Sequence, residues 1–328
     1  MDELFACCRW GGFLKSMKTS LRLATLALLV VGLLIATTRA GAADAGFDER
    51  AKVKSRYSFA DEKAKAEKGD PKAQNAIGAH YWLGSLVEED YAEAAKWFRK
   101  AADQGNLNAQ SSLGQLLYEG GKGVEKDYTE AAKWWRKAAD QGEADAQFNL
   151  GLLYDNGQGV QKDYAEAAKW YRRAADLGRA VAQLNLGMSY YYGKGVEKDY
   201  AEAAKWFRKG ADQGNAGAQL FLASLYRNGQ GVEKDYAKAM KWYRNAADQG
   251  LDQAQFGIGG LYFSGHGVER DYAEAYAWFN LAARTDTNAA TSRDLLEKQM
   301  SPQQVAEAQK RTKELRAMIE AKTKAASK

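Results

Sequence analysis

The dipeptide Asp-Tyr recurs as Asp90-Tyr91, Asp127-Tyr128, Asp163-Tyr164, Asp199-Tyr200, Asp235-Tyr236 and Asp271-Tyr272, spaced by 37 residues once and by 36 four times. A fixed period of this length means a stack of similar units, each too small to bury its own apolar face and therefore obliged to lean on the next. Six residues after each of these tyrosines stands a tryptophan, at 97, 134, 170, 206, 242 and 278. Ten residues before each stands another tyrosine, at 81, 118, 154, 190, 226 and 262.

The unit from Glu143 to Gly178 reads as helix, loop, helix, turn. Ala146, Leu150, Gly151 and Tyr154 recur at spacings of three and four, the apolar period of a helix. Gly151 lacks a Cβ where another helix would cross, which allows close approach at a propensity cost near 1 kcal/mol. Gly157 and Gly159 supply the positive φ that breaks this helix. Asp163 stands where a carboxylate caps the next one. There Tyr164, Ala167, Ala168, Tyr171, Ala174 and Ala175 share a face, Glu166, Lys169, Arg172 and Arg173 face water, and Gly178 ends the helix in the left-handed region.

These residues resemble the Sel1-like repeat family. Its pattern of Ala-x-x-x-Leu-Gly-x-x-Tyr, a Gly-x-Gly-Val loop and Asp-x-x-x-Ala-x-x-Trp-Tyr/Phe-x-x-Ala-Ala recurs in six copies from about Asp70 to Asp286. The resemblance implies an all-α, right-handed α-solenoid of helix pairs, with units at 70–105, 106–142, 143–178, 179–214, 215–250 and 251–286. Three departures stand out: Leu86 replaces the second loop glycine, Ala223 replaces the helix glycine, and the second unit carries one extra residue between Leu113 and Tyr118. That extra residue is expected to bulge or overwind its helix.

The ends differ in character. Residues 1–43, opening at Met1 or at Met17, read as a secretory signal peptide: Lys18 and Arg22 precede an apolar run from Leu23 to Ala36, and Ala40-Gly41-Ala42 follows. The run is shorter than the roughly 20 residues that span a bilayer, so cleavage near Ala42 or Ala43 is expected, with a periodic array released to the periplasm or secreted. Without residues 1–43 the chain holds 42 basic against 40 acidic residues and no cysteine. It carries neither a disulfide framework nor the charge of a nucleic-acid binder. Residues 44–69, helical from Phe47 to Lys68, cap one end. At 287–328, helices at Asn288–Gln299 and Ser301–Lys324 cap the other, the latter opened by a Ser301/Gln304 capping box. Its basic tail reads as a solvated cap or as a contact for an acidic surface.

Catalytic chemistry has little to work with. His80 and His266 fall in the first and sixth units, without a second ligand or base at usable spacing. The Gly-Lys-Gly triplets at 121–123 and 193–195 lack the spacing of a phosphate loop. No metal, cofactor or catalytic residue is expected. The tryptophan ladder reads as packing, with a stacking platform for sugars or bases as the sharper alternative.

What remains is surface. The ladder Ala76, Ser112, Asn149, Asn185, Phe221 and Gly257 varies between the repeated Ala-Gln and Leu-Gly, and Ala79, Gln115, Leu152, Met188, Ser224 and Gly260 follow the glycine. Asn149 and Asn185 suit the amide and carbonyl of an extended peptide, with Leu152, Met188 and Phe221 as apolar pockets, or else hold neighbouring backbone. The expected function is therefore an exported, non-enzymatic scaffold that binds a protein or peptide, including a membrane-protein partner, through a concave groove. The resemblance implies two alternatives. One is a regulator of a membrane sensor kinase. The other is an enzyme acting on cell-wall fragments or β-lactams, although the family members credited with that carry a disulfide in every repeat.

Overall fold

A computed structural model describes residues 59–326. The expected signal peptide at 1–43, residues 44–58 of the expected N-terminal cap and the last two residues of the tail lie outside the described residues. Helix α1 spans 59–67. Six helix pairs follow: α2 Pro71–Leu83 with α3 Tyr91–Asp103, α4 Leu107–Glu119 with α5 Tyr128–Asp140, α6 Ala144–Asn156 with α7 Tyr164–Asp176, α8 Ala180–Tyr192 with α9 Tyr200–Asp212, α10 Ala216–Asn228 with α11 Tyr236–Ala247, and α12 Asp252–Ser264 with α13 Tyr272–Ala282. Two further helices, α14 Thr287–Glu297 and α15 Pro302–Ala326, close the chain. Each second helix packs on its own first helix and on the first helix of the next unit, the arrangement of a solenoid.

The Asp-Tyr period is a period of helix starts. Each aspartate accepts the amide of the residue three positions on, at 2.8 to 3.0 Å from Asp90 through Asp271. Gly178, at φ +91°, ends α7 in the left-handed region as the sequence predicts.

Within a pair, an aromatic ring of the second helix presses on the backbone of the first. A Cβ added at Gly78, Gly114, Gly151, Gly187 or Gly259 would lie 2.6 to 2.7 Å from the ring of Phe98, Trp135, Tyr171, Phe207 or Phe279 respectively. The other side of the ring meets the next unit: Phe207 stacks on Phe221 with centroids 5.0 Å apart and planes 13° apart. In the fifth unit Ala223 stands where the glycine belongs. There the ring, Tyr243, finds its missing Cβ at Gly257 of the sixth unit, where an added carbon would lie 2.8 Å away. The small residue has changed sides of the ring.

Units are also tied by buried glutamines. Gln74, Gln110, Gln147, Gln183 and Gln219 each donate to a carbonyl of the preceding helix, at 3.0 to 3.2 Å. Gln74, Gln110, Gln183 and Gln219 in turn accept from Gln104, Gln141, Gln213 and Gln249 in the turn that ends their own unit. In the third unit that turn residue is Leu177, 57% exposed, and the Oε1 of Gln147 is buried without a partner.

The second unit departs from expectation. Helix α4 is a regular 13-residue helix, and the extra residue lies in the loop, where Gly121 and Val124 exchange backbone hydrogen bonds of 2.8 and 3.0 Å. Asp127 N donates to Leu117 O, as Asp163 N does to Tyr154 O. Leu117 therefore holds the position of Tyr154, and Tyr118 is displaced by one onto Tyr128 and Trp135. A loop absorbs a residue more cheaply than a helix whose every turn is wedged between neighbours. At the position of Leu86, the second loop glycine of later units presses on the preceding unit, and a Cβ at Gly195 would clash with Tyr164 O.

Both ends are covered by helices. Ala66 of α1 accepts from Gln74 as Ala102 does from Gln110, so α1 stands in for a second helix. Helix α15 opens with the expected capping box, Ser301 N to Gln304 Oε1 and Gln304 N to Ser301 Oγ. It lies along α13 and buries Ala308, Thr312, Leu315 and Ile319. Under it, α13 carries Tyr276, Ala277 and Leu281 where the other second helices have Ala or Met, Lys, and Lys, Arg or Asn, and all three are buried.

Two stability effects are expected. Leu177→Gln restores the missing donor to Gln147 and raises stability by about 1 kcal/mol, measurable by thermal unfolding. Gly257→Asn, which copies the third and fourth units, crowds Tyr243 and costs about 1–3 kcal/mol. Adding Ala223→Gly to that variant is expected to recover part of the loss, a coupling that denaturant titration of the double-mutant cycle will reveal.

Candidate binding face

On each first helix, positions six, nine, twelve and thirteen fall on one stripe: Asn149, Leu152, Asp155 and Asn156 on α6; Asn185, Met188, Tyr191 and Tyr192 on α8; Phe221, Ser224, Arg227 and Asn228 on α10. The helices are each 13 residues long and end at an equivalent glycine, Gly157, Gly193 or Gly229, so the stripe keeps register from unit to unit.

The residues expected to bind a partner lie on this stripe at different depths. Asn149 and Met188 are buried to 7% exposure. Leu152, Asn185 and Phe221 are half-buried. The Asn185 amide donates to Val181 O one turn back on its own helix, at 3.0 Å, so this side chain is engaged with local backbone. Phe221 belongs to an aromatic cluster, with Phe207 beneath it, Tyr191 at 5.5 Å and Tyr192 at 6.4 Å. Tyr192 is half exposed and Tyr191 packs edge-on against Tyr200. Sequence reasoning passed over these two tyrosines. Their signal was the run Tyr190-Tyr191-Tyr192, of which the repeat requires only the first.

Charge enters the stripe one turn on, at Asp155 and Arg227. Burial pushes the Asp155 carboxyl above the ordinary aspartate range, Lys194 and Lys162 pull it back, and the buried Tyr171 hydroxyl is turned toward it. Burial likewise raises Tyr171. Arg227 lies near enough to Tyr191 and Tyr243 to favour their ionised forms, against the stronger upward effect of burial on each. The stripe thus offers amides, aromatic rings, one carboxylate and one guanidinium, a chemistry suited to side chains and backbone of another polypeptide.

The histidines and tryptophans are occupied elsewhere. His80 Nδ1 meets Ser85 Oγ at 2.8 Å and its Nε2 meets Glu62 at 3.3 Å, which ties α1 to the first unit. His266 stacks on Tyr236 of the preceding unit, centroids 4.5 Å apart. The six ladder tryptophans are buried to 8% exposure or less, and Trp134, Trp170 and Trp206 donate their indole N–H to the glutamate four residues earlier. They are packing groups rather than an open stacking platform. Among the described residues there is no group of three metal-ligating side chains and no helix long and apolar enough to cross a membrane.

Helix pairs of this design, stacked in register, define an α-solenoid repeat scaffold. More narrowly, the Sel1 repeat model matches residues 71–106, 107–143, 144–178, 180–215, 216–251 and 252–284, and the chain belongs to the Sel1 repeat family. A Sel1 repeat protein from Oxalobacter formigenes is 40% identical, over 65% of this chain and 85% of that one, with a TM-score of 0.58. The protective antigen c5321 of uropathogenic Escherichia coli, with an SLR fold, is 30% identical over 78% of each chain, at a TM-score of 0.44. Helicobacter pylori cysteine rich protein B is 28% identical over 41% of this chain and 96% of that one, at 0.33. No curated protein matches the chain. Sel1 repeat proteins are in general protein-interaction scaffolds, and their fold is typical of non-catalytic ones.

A carboxyl whose folded pKa lies above its unfolded value adds stability while protonated and loses it as pH rises through the folded value. Asp155→Asn is therefore expected to gain more over the parent at pH 7 than near the ordinary aspartate pKa of about 3.9, as read by denaturant unfolding at both.

Proposed function

We propose that this chain is an exported, non-enzymatic scaffold of the cell envelope that binds a protein or peptide partner through the groove lined by α6, α8 and α10. One observation carries the reading: the residues that change most from unit to unit collect on a single stripe of the first helices, while the repeated ones are consumed by caps, ring contacts and glutamine bonds. A surface that varies on a repeated scaffold is where specificity accumulates. Asn149, Leu152, Asn185, Met188 and Phe221 remain the proposed contacts, now joined by Tyr191, Tyr192 and Arg227. The engaged Asn185 amide makes Phe221 and the tyrosines the stronger anchors, since buried aromatic side chains dominate binding energy. Export rests on Lys18, Arg22 and the apolar run after them.

The test is capture of the tagged protein from cross-linked cells, comparing the parent with an Asn149→Ala, Asn185→Ala, Phe221→Ala variant shown by circular dichroism to be folded. A partner recovered with the parent and lost with the variant is the expected result. The same partners with both would remove the groove from consideration. Removal of residues 1–43 is expected to leave the protein inside the cytoplasm, which fractionation checks.

A further inference from the structure

Between the first and second units lies an open pocket of about 440 Å³, lined by Ala95, Arg99, Leu117, Gly123, Val124 and Glu130 among others. Its counterparts further along are filled by the molecule itself. Arg136 donates through Nη2 to the Tyr154 hydroxyl at 2.5 Å, Arg244 to that of Tyr262 at 2.9 Å, and Arg172 and Arg208 do the same to Tyr190 and Tyr226. At the second unit the tyrosine's place is taken by Leu117, and the ring that should have stood there has moved to Tyr118. Arg99 keeps the ion pair to Glu130 through Nη1, as Arg136 approaches Glu166 at 4.0 Å, but no tyrosyl hydroxyl reaches it among the described residues. The extra loop residue holds Gly123 and Val124 at the rim.

We propose that this pocket binds a phenolic side chain, a tyrosine presented by a protein partner. The ring enters between Leu117, Val124 and Ala95, and its hydroxyl accepts from Arg99 Nη2, reproducing in trans the contact that four later interfaces make in cis. Space is sufficient, since an apolar cavity of roughly 150 Å³ already admits benzene. The Arg99 donor supplies selectivity: the hydroxyl gains a charge-assisted hydrogen bond that a ring without it cannot make, and the latter binds about tenfold more weakly. The site is separate from the groove on α6, α8 and α10. Only the source of the tyrosine rests on the protein-binding reading, and a small-molecule probe tests the pocket by itself.

N-acetyl-tyrosinamide titrated into the isotope-labelled protein is expected to shift the amide resonances of Gly123 and Val124 with millimolar affinity, and N-acetyl-phenylalaninamide to do so about tenfold more weakly. Leu117→Tyr supplies the missing ring from within, so it is expected to abolish those shifts and to raise the melting temperature. Shifts that persist in Leu117→Tyr, equal affinity for the two probes, or no shifts at Gly123 and Val124 would each overturn the assignment. Should Leu117→Tyr fail to fold, Arg99→Met decides: loss of the preference for tyrosine supports the pocket, and an unchanged preference rejects it.

Discussion

The contact on which the stack depends is a ring against a glycine. An aromatic side chain of every second helix but the fifth unit's lies where a Cβ of its own first helix would be, and in the fifth the ring of Tyr243 takes that place at Gly257 of the next unit. The close approach brings the paired helices near enough for their alanine faces to exclude water, which is why Ala94, Ala101, Ala131 and Ala138 are fully buried with so little apolar area each. Dispersion at this distance, rather than bulk hydrophobicity, makes a small-residue interface hold.

Where a ring touches two units, as Phe207 and Tyr243 do, the interface is solved locally. The fifth and sixth units show this, since Ala223 and Gly257 exchange the positions of the large and small residue about Tyr243 without disturbing the pairs on either side. The third unit tolerates an orphaned Gln147 oxygen because the neighbouring glutamine pairs are independent of it. A quasi-one-dimensional stack confines each fault to the units that share it.

The period made the helix pairs, their caps and their terminal glycines legible before any coordinates. The second unit was misread for a specific reason. Its tyrosine moved one position along the helix while its loop grew by one residue, so the ten-residue interval from Tyr118 to Tyr128 survived although the tyrosine had left its place. Only the backbone bond from Asp127 to Leu117 separates the two cases, and a spacing count does not contain it. The covered face of α13 was legible but unread: Tyr276, Ala277 and Leu281 replace residues that are mostly alanine and lysine elsewhere, a change that a covering helix requires. On the candidate face, residue types were readable and their depth was not, because depth depends on how far the ring of the preceding unit intrudes.

That intrusion links binding to stability. The ladder position that varies from Asn149 to Asn185 to Phe221 to Gly257 also forms, at Phe221 and Gly257, the second wall against the ring of the unit before it. A residue there must satisfy the ring with one side of its bulk and present its chemistry with the other. Phe221 does so by stacking parallel on Phe207 while its edge meets Tyr191 and Tyr192. At Gly257 the ring claims the whole position, and a Cβ at Gly260, one turn on, would meet nothing within 4 Å. The face is therefore richest in side chains where the helix glycine takes up the ring and barest where it does not, so the placement of one glycine in the first helix governs which units have a surface to offer a partner.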